Sequence, residues 1–198
     1  MSKKQNFSWQ NILFVICIAV LIIPQTRKPI QVALNQLVVA IATPAPLEKE
    51  AQIQVPPFEY NLLNPEGLTR KAPIGKGRVT FLSYWATWCP PCIAELPSIA
   101  ELYEAYGNKV DFLLVTDEDP ATVLAFLKKK KLNLPVVFPA MPTPEILRES
   151  SIPTTYIIDA KGRIVIKKQG PANWDSDQVH SVLDSLLAES EPYSLTVN

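Results

Sequence analysis

The first apolar run without a charge extends from Ile12 to Ile23 and stops at Pro24. It is short of the roughly 20 residues that a helical membrane span requires, and adding Phe7 to Asn11 makes a marginal span with Trp9 at its edge. Lys3 and Lys4 precede it. A positive start followed by an apolar middle also fits a secretory signal peptide, and a buried helix is a third reading. The uncleaved anchor is preferred here. A signal needs small residues soon after the apolar run, whereas Pro24-Gln25-Thr26-Arg27-Lys28 follows, and Ala40-Ile41-Ala42 lies far downstream. Cys17 falls inside the run behind Val15-Ile16, which lack the small residues of a lipoprotein site, so it reads as a small apolar residue of the helix.

Ile30 to Ala42 is a weaker apolar stretch interrupted by Gln31, Asn35 and Gln36, which fits an interfacial helix or a continuation of the anchor. Thr43 to Pro57 carries Pro44, Pro46, Pro56 and Pro57 beside Glu48, Lys49 and Glu50, the composition of an extended tether. The expected division is an anchor or signal segment over 1–29, a tether over 30–54, a folded domain over 55–190 and a tail over 191–198.

Beyond Val55 the pattern changes to β-type runs alternating with helical stripes. Phe58–Leu63 and Arg78–Trp85 read as strands. Over Pro91–Tyr106, Ile93, Leu96, Ala100 and Tyr103 fall on one helical stripe, and Gly107-Asn108 ends it. Val110–Thr116 reads as a buried strand, Ala121–Lys131 as a helix, Leu134–Phe138 as a strand and Pro144–Ser150 as a short helix. Thr154–Asp159 and Arg163–Lys168 flank Ala160-Lys161-Gly162 as a β-hairpin. Asp175–Ala188 closes the chain as a helix. This succession suggests an α/β domain with a central mixed sheet covered on both faces.

Composition narrows the chemistry. The 198 residues balance to a formal net charge of +0, without the basic footprint of a nucleic-acid binder. No GxxxxGK[ST] or GxGxxG phosphate loop occurs. Three cysteines, Cys17, Cys89 and Cys92, are too few for a disulfide scaffold, and with His180 the single histidine a structural zinc site lacks ligands. What is left is a CxxC pair at the end of a strand and the start of a helix, in Phe81-Leu82-Ser83-Tyr84-Trp85-Ala86-Thr87-Trp88-Cys89-Pro90-Pro91-Cys92. The first turn of a helix offers free N–H groups and the positive end of a dipole, which lower the pKa of a thiol placed there. Pro90 and Pro91 suit that turn. The first sulfur is expected to face solvent and the second to be more buried.

WATWCPPC with Glu95 and Pro97 resembles the membrane-anchored TlpA/ResA-like branch of the thioredoxin superfamily. Ser151-Ile152-Pro153-Thr154-Thr155 resembles the segment that carries the family's cis-proline, and Asp117 to Ser151 resembles the helix–strand insert of this branch. The resemblance covers about Val55 to Ala188. It implies a thioredoxin fold and a thiol–disulfide oxidoreductase with Cys89 as nucleophile and Cys92 as resolving thiol, needing no metal or organic cofactor. Thioredoxin's buried aspartate is replaced by Ser83. Glu95, three residues beyond Cys92 on one helical face, is the natural substitute for its proton-transfer role. Trp88, Pro90, Pro91, Ile152 and Pro153 are expected to form the substrate-facing surface. The implied partners are protein disulfides, in cytochrome c maturation or elsewhere in a bacterial cell envelope, and a membrane thiol donor. The implied form is an extracytoplasmic monomer tethered to the membrane. A Sco-type copper-delivery module and a peroxiredoxin-like peroxidase are the rival readings on the same fold.

Overall fold

Proline decides where the first helices break. In the computed structural model, which describes residues 9–190, helix α1 covers Trp9–Ile22 and helix α2 covers Pro24–Ile41. Lys3, Lys4 and the expected tail over 191–198 lie outside the described residues. Pro24 has no N–H with which to continue α1, and its fixed φ suits the start of a new helix. The two helices meet at 82°. Among the described residues no single helix is long and apolar enough to cross a membrane; α1 and α2 reach that length and apolarity only together, as this bent pair.

The expected tether is not extended throughout, and the helical reading of Ile30 to Ala42 agrees with the structure. Its first part, up to Ile41, is helical and packs on helix α3, Pro90–Tyr106. The physical reason is a stripe at helical spacing, Val32, Asn35 and Val39, which is sheltered while the rest of α2 is largely exposed. The chain beyond α2 is also tied down. Asn173 N–H donates to the Ala42 carbonyl at 2.8 Å and Leu47 N–H to the Val165 carbonyl at 2.8 Å.

The remaining elements are β1 (Phe58–Leu63), β2 (Thr69–Ile74), β3 (Thr80–Tyr84), β4 (Asp111–Val115), α4 (Pro120–Lys130), β5 (Val136–Pro139), β6 (Thr154–Ile158), β7 (Ile164–Gln169) and α5 (Asp177–Glu189). They build one seven-stranded mixed sheet in the order β2-β1-β5-β4-β3-β6-β7. β3, β4 and β5 run parallel, and β6 lies antiparallel to β3 with Ser83 opposite Thr155. The pattern did not suggest β2, because Arg70, Lys71 and Pro73 break its alternation. It is an edge strand paired only with β1, where charges and proline are tolerated. The helix expected over Pro144–Ser150 shrinks to a single 3-10 turn, Glu145–Leu147, with no side-chain cap to offset the cost of nucleating so short a segment.

Alternation along the strands sorts the core onto two faces. Phe81, Phe112, Leu114 and Ile157 point to a cluster that also takes apolar side chains from α3, α4 and α5. Leu82, Leu113, Val115, Tyr156 and Ile158 point the other way, against Val55, Tyr60 and Leu147, with Leu47 and Met141 packed alongside. α3 and α4 share a face because β3-α3-β4 and β4-α4-β5 step along the sheet in one direction with crossovers of one hand.

Candidate redox site

The site is built where β3 hands over to α3. Cys89 is the N-cap residue of α3, in extended conformation, and Cys92 is the third residue of the helix. The first N–H groups of a helix lack intrahelical partners. Here the first two helical residues are Pro90 and Pro91, which carry no N–H. The Cys92 N–H is therefore the first donor available, and it points at Cys89 Sγ at 3.3 Å. The next, from Ile93, closes the first helical bond to the Cys89 carbonyl at 3.0 Å. The two prolines thus leave one directed hydrogen bond and the helix dipole acting on the sulfur of Cys89. The two cysteines are joined in a disulfide with their Cα atoms 5.3 Å apart.

The turn before the disulfide is pinned from two sides. Glu118 accepts the Thr87 N–H at 2.5 Å through Oε2 and the Thr87 hydroxyl at 2.7 Å through Oε1. From the far end of the sequence, Lys28 Nζ in α2 donates to the Thr87 carbonyl at 2.9 Å. Neither partner was legible beforehand, since both contacts are long-range and neither residue belongs to a motif.

The Ile152–Pro153 peptide bond is cis. It sits just ahead of β6, next to β3, and brings the Ile152 carbonyl to 3.8 Å from Cys89 Sγ. Trp88 is 64% exposed, Pro90 and Pro91 are partly buried, and Ile152 is partly buried. Trp88 and Ile152 border a cleft of about 440 Å³ whose wall continues through Tyr84, Thr143, Arg148 and Glu149. The five residues expected to face substrate belong to three neighbouring segments, the turn, the start of α3 and the cis-proline segment, with Pro153 itself buried. One expectation needs correction. Cys89 was placed facing solvent, but in the disulfide form it is only 3% exposed, against 0% for Cys92.

Glu95 lies one turn into α3 beyond Cys92 and is 1% exposed. Its Oε2 accepts the Ala172 N–H at 3.2 Å and the Trp174 indole N–H at 3.1 Å. Oε1 has no partner among the described residues. Burial pushes the carboxyl up to about 8, and the Trp174 and Ala172 donors oppose the shift only in part. The sequence pointed to Glu95, but its fixed partner Trp174 comes from the loop between β7 and α5 and was missed. Ser83, in the place of thioredoxin's aspartate, accepts a hydrogen bond from the Thr155 hydroxyl at 2.8 Å and is buried.

A cysteine pair at a helix start, facing a cis-proline across a mixed sheet, is the arrangement of thioredoxin-fold proteins, and the Redoxin family model matches residues 52–186. The chain belongs to the Redoxin family. Within that family it is similar to thiol-disulfide oxidoreductases of Bacillus. It is 34% identical over 104 residues to sporulation thiol-disulfide oxidoreductase A of Bacillus subtilis, covering 48% of this chain and 62% of that protein. It is 35% identical over 122 residues to thiol-disulfide oxidoreductase ResA of Bacillus thuringiensis, covering 59% of this chain and 66% of that protein. The matched segments therefore span less than two thirds of either relative's length. Among solved structures, StoA from Bacillus subtilis superposes with a TM-score of 0.50 at 28% identity, covering 65% of this chain and 96% of that one. The resemblance carried by WATWCPPC and the cis-proline segment is borne out at the level of the ResA/StoA-like Redoxin proteins.

Proposed function

We propose that this Redoxin-family chain is a thiol–disulfide oxidoreductase that reduces protein disulfides on the outer side of a bacterial membrane, working as a monomer with no metal or organic cofactor. The observation that carries the reading is the placement of Cys89 Sγ at the start of α3, under the Cys92 N–H and beside the Ile152 carbonyl. In the reduced protein, Cys89 is the thiolate. It attacks one sulfur of a substrate disulfide, and the other substrate sulfur leaves as a thiolate that takes up a proton. Cys92 then gives up its proton and attacks Cys89 Sγ. This releases the second substrate thiol and restores the Cys89–Cys92 disulfide. Glu95, one helical turn away, takes the Cys92 proton in its ionised form and passes it to the departing substrate sulfur. A membrane dithiol resets the pair with two electrons and one proton for Cys92, and its second proton goes to solvent, which replaces the one taken up by the first substrate thiolate.

The substrate segment lies extended along Trp88, Pro90, Pro91, Ile152 and Pro153, with the backbone at Ile152 offering strand-like pairing. Disulfides of envelope proteins, apocytochrome c among them, are the proposed substrates. α1 is the proposed anchor. A copper-delivery role is less well supported: both ring nitrogens of His180 are engaged, Nε2 with Asp175 at 2.6 Å and Nδ1 with the Tyr106 hydroxyl at 3.3 Å.

The test is covalent trapping in the native membrane. Cys92→Ser should accumulate mixed disulfides through Cys89, and Cys89→Ser should accumulate none. Equal trapping by both variants, or by neither, would remove the assignment of Cys89 as nucleophile.

A further inference from the structure

Helix α2 has two apolar stripes, and the fold uses only one. Val32, Asn35 and Val39 are sheltered on the side that packs against α3. Ile30, Leu34, Leu37 and Ile41 recur at helical spacing on the far side and stay exposed, Leu37 at 68% and Ile41 at 84%. In α1 the exposed apolar residues, Trp9, Leu13, Phe14, Val15 and Ile16, lie around the helix rather than on one stripe. An apolar surface of this extent needs a cover.

Three observations point to a lipid surface as that cover. No Asp or Glu occurs before Glu48, and the charges up to that point are Lys3, Lys4, Arg27 and Lys28, all positive. Arg27 and Lys28 fall in the first turns of α2, at the elbow, where the phosphates of a bilayer would lie beside a chain leaving it. The charge-free apolar run, Ile12 to Ile23, is short of the roughly 20 residues of a full span, so the chain gains from a second contact with the bilayer. Finally, the 82° bend turns α2 across the axis of α1, the course of a helix that leaves a bilayer and then lies along it.

We infer that α2 is a membrane-surface helix, bedded in the lipid headgroup interface by Ile30, Leu34, Leu37 and Ile41 and bound to α3 by its opposite face, so that the Cys89 end of the domain works against the bilayer. The second half of this statement follows from Lys28. Its ammonium holds the Thr87 carbonyl, two residues before Cys89, so the redox turn sits at the elbow end of α2. A domain held this way presents Cys89 to a dithiol within the membrane without a search by a free tether. The inference rests on the reading of α1 as an anchor.

The experiment uses the full chain with Cys17→Ala, reconstituted into vesicles of phosphatidylcholine and phosphatidylglycerol with the Cys89–Cys92 disulfide kept oxidised. Nitroxide labels are attached singly through Leu34→Cys, Leu37→Cys and Gln36→Cys. Labels at positions 34 and 37 should be relaxed more by oxygen than by a water-soluble nickel chelate, and the label at 36 should show the reverse. Equal nickel access at all three positions would overturn the inference. So would short distances between labels on different copies, which would make the cover a second chain. In the reduced protein, a maleimide carried on a lipid headgroup should add to the Cys89 sulfur. The Leu34→Glu/Leu37→Glu variant should slow this several-fold while leaving the rate with soluble maleimide unchanged. Equal rates with the lipid-borne reagent would refute the orientation. Release of the chain by carbonate washing would defeat the anchor reading itself; retention with water-exposed labels would defeat only the role of α2.

Discussion

Two carboxylates in this domain are buried almost equally and are treated in opposite ways. Asp159, 4% exposed, closes the turn between β6 and β7. Its Oδ1 accepts the N–H groups of Lys161 at 2.9 Å and Arg163 at 2.7 Å, and its Oδ2 accepts Arg163 Nε at 2.5 Å. Gly162 makes this turn possible. Its φ is +91°, and a Cβ there would stand 2.5 Å from the Val55 carbonyl. Among the described residues, Glu95, 1% exposed, has donors on Oε2 only and an unpartnered Oε1. Burial alone therefore does not make a carboxyl reactive. Full partnering makes Asp159 a brace of the turn. Burial, opposed by donors on one oxygen only, raises Glu95 to about 8, one helical turn along α3 from Cys92.

The largest effect that sharpens this contrast is expected at Asp159. Asp159→Ala leaves two backbone N–H groups and Arg163 without their acceptor. It should cost about 2–4 kcal/mol in denaturant unfolding while leaving the pH dependence of the redox reaction unchanged. A shifted redox profile in this variant would break the distinction.

Next comes Glu95→Gln, which imitates the protonated carboxyl. The folded form of Glu95 titrates at about 8 against an ordinary 4.5. Between those values the folded protein holds a proton that the unfolded chain has lost, so wild-type stability falls as pH rises through this window. The favourable contribution is complete below pH 4.5 and gone above about pH 8. Glu95→Gln should remove that slope and be roughly 1–3 kcal/mol more stable than wild type at alkaline pH, with little difference in acid. Thermal unfolding of the oxidised protein across pH measures this directly, and parallel curves for the two proteins would contradict it.

The smallest effect is that of Trp174→Phe. It keeps an aromatic ring against Phe81, whose centroid lies 5.1 Å from that of Trp174, but deletes the indole donor to Glu95. It should cost about 1–2 kcal/mol and move the Glu95 titration upward, because a contact that favours the charged form is lost. Following the Glu95 carboxyl by infrared spectroscopy would show the shift, and a downward movement would refute the assigned role of the indole.

These comparisons mark what a sequence conveys. The redox turn was legible because its chemistry is local: strand, CxxC, two prolines and a helix stripe fall within one short segment. The hairpin at Asp159 and the cis-proline segment were legible for the same reason. Glu95 was found through its spacing from Cys92, but its burial and its single-sided partnering come from Ala172 and Trp174, 77 and 79 residues away. No periodicity announces such contacts. The pins on Thr87 from Lys28 and Glu118 are equally remote. Strand β2 was hidden because an edge strand tolerates the charges and proline that argue against a strand elsewhere. Helix α2 was legible in the apolar stretch Ile30 to Ala42, but its packing on α3 was not, because that is a tertiary event. The place of Cys89 at a helix start predicts a solvent-facing sulfur, yet in the disulfide form the residue is 3% exposed.

The central claim is that Glu95 is the proton-handling group of the Cys89–Cys92 pair. The most direct measurement is the reduction potential of the pair as a function of pH, in wild type and in Glu95→Gln. The account predicts a change of slope near pH 8 in the wild type, where the oxidised form loses the Glu95 proton, and no break at that pH in the variant. Identical curves for the two proteins would contradict it, and Glu95 would then be a buried structural residue with no part in the redox cycle.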